Sequence, residues 1–252
     1  MIQVYCKNTG TAKSFVEGTS LLEMLSEFGI ESPYPFVSAK VNNVSEGLTY
    51  RAYNCKDVEF LTYQSYAGRS AYCRALVMLL GKAVKDAVPG ATVTVRRPIS
   101  KGFFCSLQKK DGGPTTPEDV KAVAARMRGI VEAASPFYRH EVRTEDAVKL
   151  FTNLGYDDRV DLLETCDDIY ITYYTLEGTP DYFYDALVPD AGYLKVWDLI
   201  PYQGGMLLRV PDRHDPDRLA PFKEEPKTFE VMRESVRWNE IMDLNSVGDV
   251  NK

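Results

Sequence analysis

Histidine and cysteine, the side chains most used for metal binding and nucleophilic chemistry near neutral pH, are few in this chain: two histidines, His140 and His214, and five cysteines, Cys6, Cys55, Cys73, Cys105 and Cys166. A zinc site built on several histidines has no ligands to draw on. The cysteines are odd in number, lack a CxxC pair and sit in apolar contexts, so they read as buried thiols rather than as a disulfide framework. His140 lies between Arg139 and Glu141 and reads as a surface residue at a strand edge. His214, between Arg213 and Asp215 in a proline-bearing stretch, reads as solvated. Neither has a nucleophile and an orienting group beside it. A phosphate loop needs GxxxxGK followed by Ser or Thr, so that backbone amides cradle phosphate and the hydroxyl reaches magnesium. Gly81-Lys82 is followed by Ala83 inside a helical pattern, and Gly112-Gly113 is a turn.

Two groups of residues could bind rather than react. Arg96, Arg97, Lys101, Lys109 and Lys110 form the densest basic neighbourhood. In a folded hairpin they could meet phosphates, although such clusters are more often a solvated face. The aromatic run Tyr170, Tyr173, Tyr174, Tyr182, Phe183 and Tyr184 could stack bases. Packing is the favoured reading, because strands enrich aromatics without function.

The elements that must position these residues follow from periodicity and punctuation. Ile2 and Val4 alternate into a strand, Asn8-Thr9-Gly10 turns, and a second strand runs near Lys13 to Phe15. Ser20 with Glu23 predicts a capping box for a helix that Gly29 stops. Strands follow at Phe36 to Val41 and Val58 to Thr62, with Asn42-Asn43 as a turn. Ala71, Ala75, Leu76, Leu79, Leu80, Ala83 and Val84 predict a helix from about Arg69 to Ala87. A strand through Val93 and Val95 and another over Phe103 to Leu107 come next. Thr116-Pro117-Glu118-Asp119 is a helix start, with a hydroxyl cap, proline at the first helical position and acids at the positive helix end. Helices are predicted from Thr144 to about Gly155 and over Arg159 to Thr165. Strands are predicted over Ile169 to Tyr174, Tyr193 to Leu199 and Met206 to Val210. Arg213 to Pro226 reads as a loop, and Phe229, Met232 and Val236 mark an amphipathic terminal helix.

Composition supports a folded chain: 44% hydrophobic and 26% charged residues among 252, with a net charge of -6. Any polyanion contact therefore needs a local basic patch. No uninterrupted apolar stretch approaches the roughly 18 residues of a membrane span, and the first residues lack the pattern of a signal peptide. The expectation is a cytoplasmic protein without membrane contact.

Phe15-Val16-Glu17-Gly18-Thr19-Ser20 and Val37-Ser38-Ala39-Lys40-Val41-Asn42-Asn43 resemble the TGS domain of bacterial threonyl-tRNA synthetases, a ubiquitin-like β-grasp module. Ala83-Val84-Lys85, Pro89-Gly90-Ala91, Pro98-Ile99 and Gly102-Phe103-Phe104 resemble the second additional domain that threonyl- and alanyl-tRNA synthetases share. In that family the domain edits mischarged tRNA through a histidine pair four residues apart and a later cysteine and histidine four apart. Matching the motifs puts Arg74 and Met78 at the first pair and Phe183 and Leu187 at the second. None of the four can ligate a metal or move a proton in the way the family requires. Arg74 is then either an anion anchor in a leftover cleft or the partner of Asp181 or Asp185 in an ion pair.

Met1 to Gly10, Gly192-Tyr193-Leu194-Lys195 and Gly205 to Pro211 also resemble a group of bacterial nucleoside kinases in which a synthetase-like region precedes a P-loop domain similar to uridine kinase. These resemblances together imply an α+β protein: a TGS-like β-grasp domain over 1–62, an editing-like domain without metal or catalytic residues over 63–225, and a helix over 226–252 leading to a kinase domain. The expected function is a non-catalytic regulatory or nucleotide- or RNA-binding region, with ligand contacts from Arg74, Arg96, Arg97, Lys101, Tyr184 and Asp185. ATP and magnesium would serve only the kinase domain, the expected partner alongside a nucleotide or RNA ligand and a second copy in a homo-oligomer. The alternatives are a free-standing hydrolase of mischarged tRNA and a structural dimerisation module.

Overall fold

The computed structural model describes residues 1–224 together with 227, 229–231 and 234. Of the terminal helix expected over 226–252, the described residues 227, 229–231 and 234 are helical, and the rest lies outside the described residues. Contacts divide the chain into two compact units, Met1–Phe137 with Asp185–Phe222, and Tyr138–Tyr184 with Lys223–Lys252. The elements are α-helices and several sheets, as an α+β reading requires.

The first unit begins with β1 (Ile2–Cys6), β2 (Thr11–Phe15), β3 (Thr19–Ser20), α1 (Leu21–Phe28), β4 (Phe36–Val41), β5 (Val44–Glu46), β6 (Arg51–Ala52) and β7 (Lys56–Thr62). Five of the strands form a mixed sheet in the order β2-β1-β7-β4-β5, in which β1 and β7 are parallel and the other pairs antiparallel. Alternation along β1 sends Ile2, Val4 and Cys6 into a core with Leu21, Met24, Val58 and Phe60, while Gln3 and Tyr5 face out. The predicted capping box is present: the Glu23 amide donates to Ser20 Oγ at 3.3 Å, and the Ser20 amide donates to Glu23 Oε2 at 2.7 Å. Gly29 closes α1 at φ 60°, and Asn42 and Asn43 turn the chain at φ 49° and 68°.

The central helix α2 (Tyr66–Ala87) starts three residues before the predicted Arg69, because Ser65 caps it by accepting from the Gly68 amide at 3.0 Å. Its buried residues run from Ala71 and Leu76 through Leu79, Leu80, Ala83 and Val84, so this helix is core. The β8 (Thr92–Ile99) and β9 (Gly102–Gln108) hairpin turns through Ser100 and Lys101, both with positive φ. The next helix, α3 (Pro117–Glu132), opens with a second capping box, Thr116 with Asp119.

The second unit takes most of β10 (Phe137–Arg143), then α4 (Thr144–Asn153), α5 (Asp157–Glu164), β11 (Tyr170–Leu176) and β12 (Thr179–Tyr182), with the strands in the order β10-β11-β12. Its small core gathers Ala147, Phe151, Leu163 and Ile171. Two of these strands were not predicted. β10 is masked by charge, with Arg139, Glu141 and Arg143 exposed on an edge strand, and β12 contains Pro180. Thr144 does not cap α4: its hydroxyl donates to the Asp168 carbonyl, and the capping position is Arg143 with no side-chain bond.

The chain then returns to the first unit. The strand predicted over Tyr193 to Leu199 is corrected: Ala191–Tyr193 is a single 3-10 turn capped by Asp190, and β13 (Asp198–Tyr202) begins later. With β14 (Gly205–Arg209) it completes the antiparallel sheet β13-β14-β9-β8. Close backbone packing at this seam explains Gly102, where a Cβ would stand 2.6 Å from the Leu208 carbonyl. The cysteine expectation is corrected in part, since Cys55 is exposed and Cys166 half-buried while Cys6, Cys73 and Cys105 are buried. No helix among the described residues is long and apolar enough to cross a membrane.

Candidate functional site

Arg74 lies at the middle of α2, one turn before Met78. Its guanidinium reaches Asp185 Oδ2 at 2.9 Å and donates from Nε and Nη2 to the Ala186 carbonyl at 3.1 and 2.9 Å. The Asp185 carboxylate in turn accepts from the Ala186 amide at 2.7 Å. Of the two partners foreseen for Arg74, Asp185 makes the contact. Asp181 belongs to β12 and is held by Arg159 of α5, Nε to Oδ1 3.1 Å.

The segment that Arg74 grips is not a loose loop. Ala186, Leu187, Val188 and Ala191 are all at least 95% buried, and Phe137 donates its amide to the Pro189 carbonyl at 3.1 Å. Two tyrosines tie further parts of the returning chain to the same region. The Tyr72 hydroxyl donates to the Val196 carbonyl and accepts from its amide, at 3.1 and 3.2 Å, and the Tyr63 hydroxyl donates to the Pro211 carbonyl at 3.0 Å. Their rings meet edge to face at 5.0 Å. Burial pushes both phenols well above the ordinary tyrosine range, so they stay neutral donors, and burial likewise raises the Cys73 thiol beside them. Sequence reasoning missed this pair, because nothing local distinguishes a tyrosine that bridges segments over a hundred residues apart.

The remaining predicted positions fall as follows. Met78 and Leu187 are each 2% exposed, in the first unit's interior. Phe183 and Tyr184 belong to the second unit, where Phe183 is half-buried and Tyr184 exposed. The side chain of Arg97 lies outside the described residues. Arg96 donates from Nε to Ser106 Oγ at 3.2 Å, Lys101 lies 3.5 Å from Asp212, and Lys109 lies 2.5 Å from Asp119. The bond from Lys109 is the main reason that the Asp119 carboxyl stays below its ordinary range. These cations are engaged by separate local partners rather than gathered around one concavity. In the aromatic run Tyr174 is buried, Tyr173 and Tyr182 pack on the second unit's core, and Tyr170 and Tyr184 are exposed. His140 stands on the edge strand β10, half-buried, stacked on Tyr173 at 4.8 Å with Nε2 2.9 Å from Thr175 Oγ1. Among the described residues no group of three or more His, Cys, Asp or Glu is placed to hold a metal ion.

No protein-family profile matches the chain. Curated relatives do. The chain is 27% identical over 196 residues to a threonine–tRNA ligase of Symbiobacterium thermophilum, covering 77% of this chain and 30% of that protein. It is 26% identical over 206 residues to the threonine–tRNA ligase of Syntrophomonas wolfei, covering 81% and 32%. With the same enzyme of Nitratidesulfovibrio vulgaris the identity is 30% over 126 residues, half of this chain and 19% of the relative. The chain thus spans about a third or less of the length of these relatives.

Proposed function

We propose that this chain is a tRNA-related binding region of the threonine–tRNA ligase type, without hydrolytic chemistry of its own. The observation that carries the reading is the similarity to threonine–tRNA ligases, which extends over about three quarters of the chain. In that reading residues 1–62 are the TGS-like β-grasp part: β1 and β7 pair in parallel, and Leu21, Met24 and Phe28 of α1 enter the same core. Residues 63–225 are the editing-like part. Hydrolysis of mischarged tRNA is disfavoured by the residues themselves. Arg74 stays charged and is committed to Asp185 and Ala186, while Met78 and Leu187 are buried and apolar. Such a set supplies neither a metal site nor a general base.

The uridine-kinase continuation draws no support from these relatives, which are ligases. A GxxxxGK[ST] loop in the sequence downstream would be needed to revive it. The decisive experiment measures binding of tRNA to the chain and release of serine from seryl-tRNA in the same preparation, with zinc analysis alongside. Salt-sensitive tRNA binding without deacylation supports the proposal. Deacylation with stoichiometric zinc would replace it by the hydrolase reading, and absence of tRNA binding at low salt would overturn it.

A further inference from the structure

The outer face of the five-stranded sheet carries a feature that the Arg74 region does not explain. Tyr5 stands on that face 41% exposed, on β1, one strand in from the β2 edge. Register places Tyr5 opposite Ala12 on one side and Asp57 on the other. Because Ala12 has only a methyl group, it leaves the flank of the tyrosine ring open. The result is a concavity of about 470 Å³ lined by Gln3, Tyr5, Ala12, Asn42, Cys55, Lys56 and Asp57. Among the described residues the side chains of Gln3, Tyr5, Lys56 and Asp57 enter no hydrogen bond or ion pair. Asn42 uses its carboxamide oxygen to accept from the Asp57 amide at 2.9 Å, which fixes the side chain and leaves its NH2 group to donate.

We propose that this concavity binds an unstacked nucleobase, with Tyr5 as the stacking surface. An exposed aromatic ring on a sheet offers a π-face to any base, and amide and carboxylate groups around it can read the base edge. Lys56 supplies a single cation for one phosphate, which fits a mononucleotide or a strand end rather than a duplex backbone. Asp57 is an acceptor only, so it pairs with a donor on the base edge, such as the amino group of cytosine. The site is separate from the Arg74 region and does not depend on the reading given for it.

The test titrates the full chain with CMP, with UMP and with a short single-stranded oligocytidine RNA, followed by calorimetry and by NMR shifts. Saturable binding is expected, weakened roughly tenfold or more by Tyr5→Ala and retained by Tyr5→Phe. Ala12→Leu should block it by filling the flank of the ring, and Asp57→Asn should weaken the binding of CMP. Thermal unfolding of each variant verifies that the fold is intact. Equal affinity for CMP and the oligomer assigns the site to a free nucleotide, and tighter binding of the oligomer assigns it to RNA. The proposal is overturned if no probe binds saturably, or if binding is indifferent to both Tyr5→Ala and Ala12→Leu.

Discussion

Arg74, 15% exposed, anchors a carboxylate and a backbone carbonyl at once. Removing it leaves the Asp185 carboxylate and the Ala186 carbonyl without that partner. We expect Arg74→Met to lower unfolding free energy by about 2 to 4 kcal/mol in chemical denaturation, and Asp185→Asn, which keeps the Ala186 bonds, by about 1 kcal/mol. Equal effects would mean that the ion pair, not the carbonyl, dominates. The cysteines divide equally sharply. Burial raises the Cys105 thiol to about 12, and Cys6 is fully enclosed, whereas Cys55 is exposed. A thiol reagent under native conditions should label Cys55 first and reach Cys6, Cys73 and Cys105 only on unfolding. Mass mapping of the modified sites would show this.

At the level of elements, α2 is fixed at both ends by different physics. At its start Gly68 is required by contact, since an added Cβ would lie 2.1 Å from the Thr62 carbonyl. Gly68→Ala should therefore destabilise by about 1 to 3 kcal/mol despite the better helix propensity of alanine. Near its end Asp86 accepts from Lys82 at 2.8 Å and from Arg126 of α3 at 2.7 Å. Burial pulls this carboxyl upward, but the bonds from Lys82 and Arg126 outweigh it and leave it below the ordinary carboxylate range. A lowered folded value stabilises the fold above the unfolded value and is lost as pH falls through the folded one. Wild type should thus lose more stability than Asp86→Asn between neutral pH and the acid side of the carboxylate range, measured by urea titration at several pH values. The capping box of α1 and the hydroxyl-capped, proline-led start of α3 were legible because a few adjacent residues contain the whole device. β10 and β12 were not: β10 has no apolar alternation of its own and meets β11 at Thr172, 33 residues beyond Arg139, and β12 contains Pro180.

For the whole molecule, charge is distributed unevenly. Residues 138–184 hold eleven acidic and four basic side chains, a net of -7, and residues 223–252 a net of -2, so the first unit nets +3 against a total of -6. Polyanions are accordingly expected to approach the first unit. The second unit also has the smaller core, four buried residues led by Phe151. Hydrogen exchange should show β10, β11 and α4 opening at lower free energy than β1, β7 and α2. Phe151→Ala, costing about 3 to 5 kcal/mol, should remove protection from 138–184 while the first unit keeps its own. Loss of protection throughout would instead make the chain one cooperative unit.

Local signals in the sequence determined the starts of α1 and α3, the Gly29 and Asn42-Asn43 turns, most strands, and the lack of a histidine-rich metal centre, since each depends on residue type and near-neighbour spacing. Tertiary structure alone decided that Arg74 meets Asp185 and not Asp181, that Tyr63 and Tyr72 clasp Pro211 and Val196, and that Tyr5 stands uncovered beside Ala12. Those contacts join segments from different strands or from positions more than a hundred residues apart in the chain. Their geometry comes from how sheets and helices pack, and no local pattern encodes it.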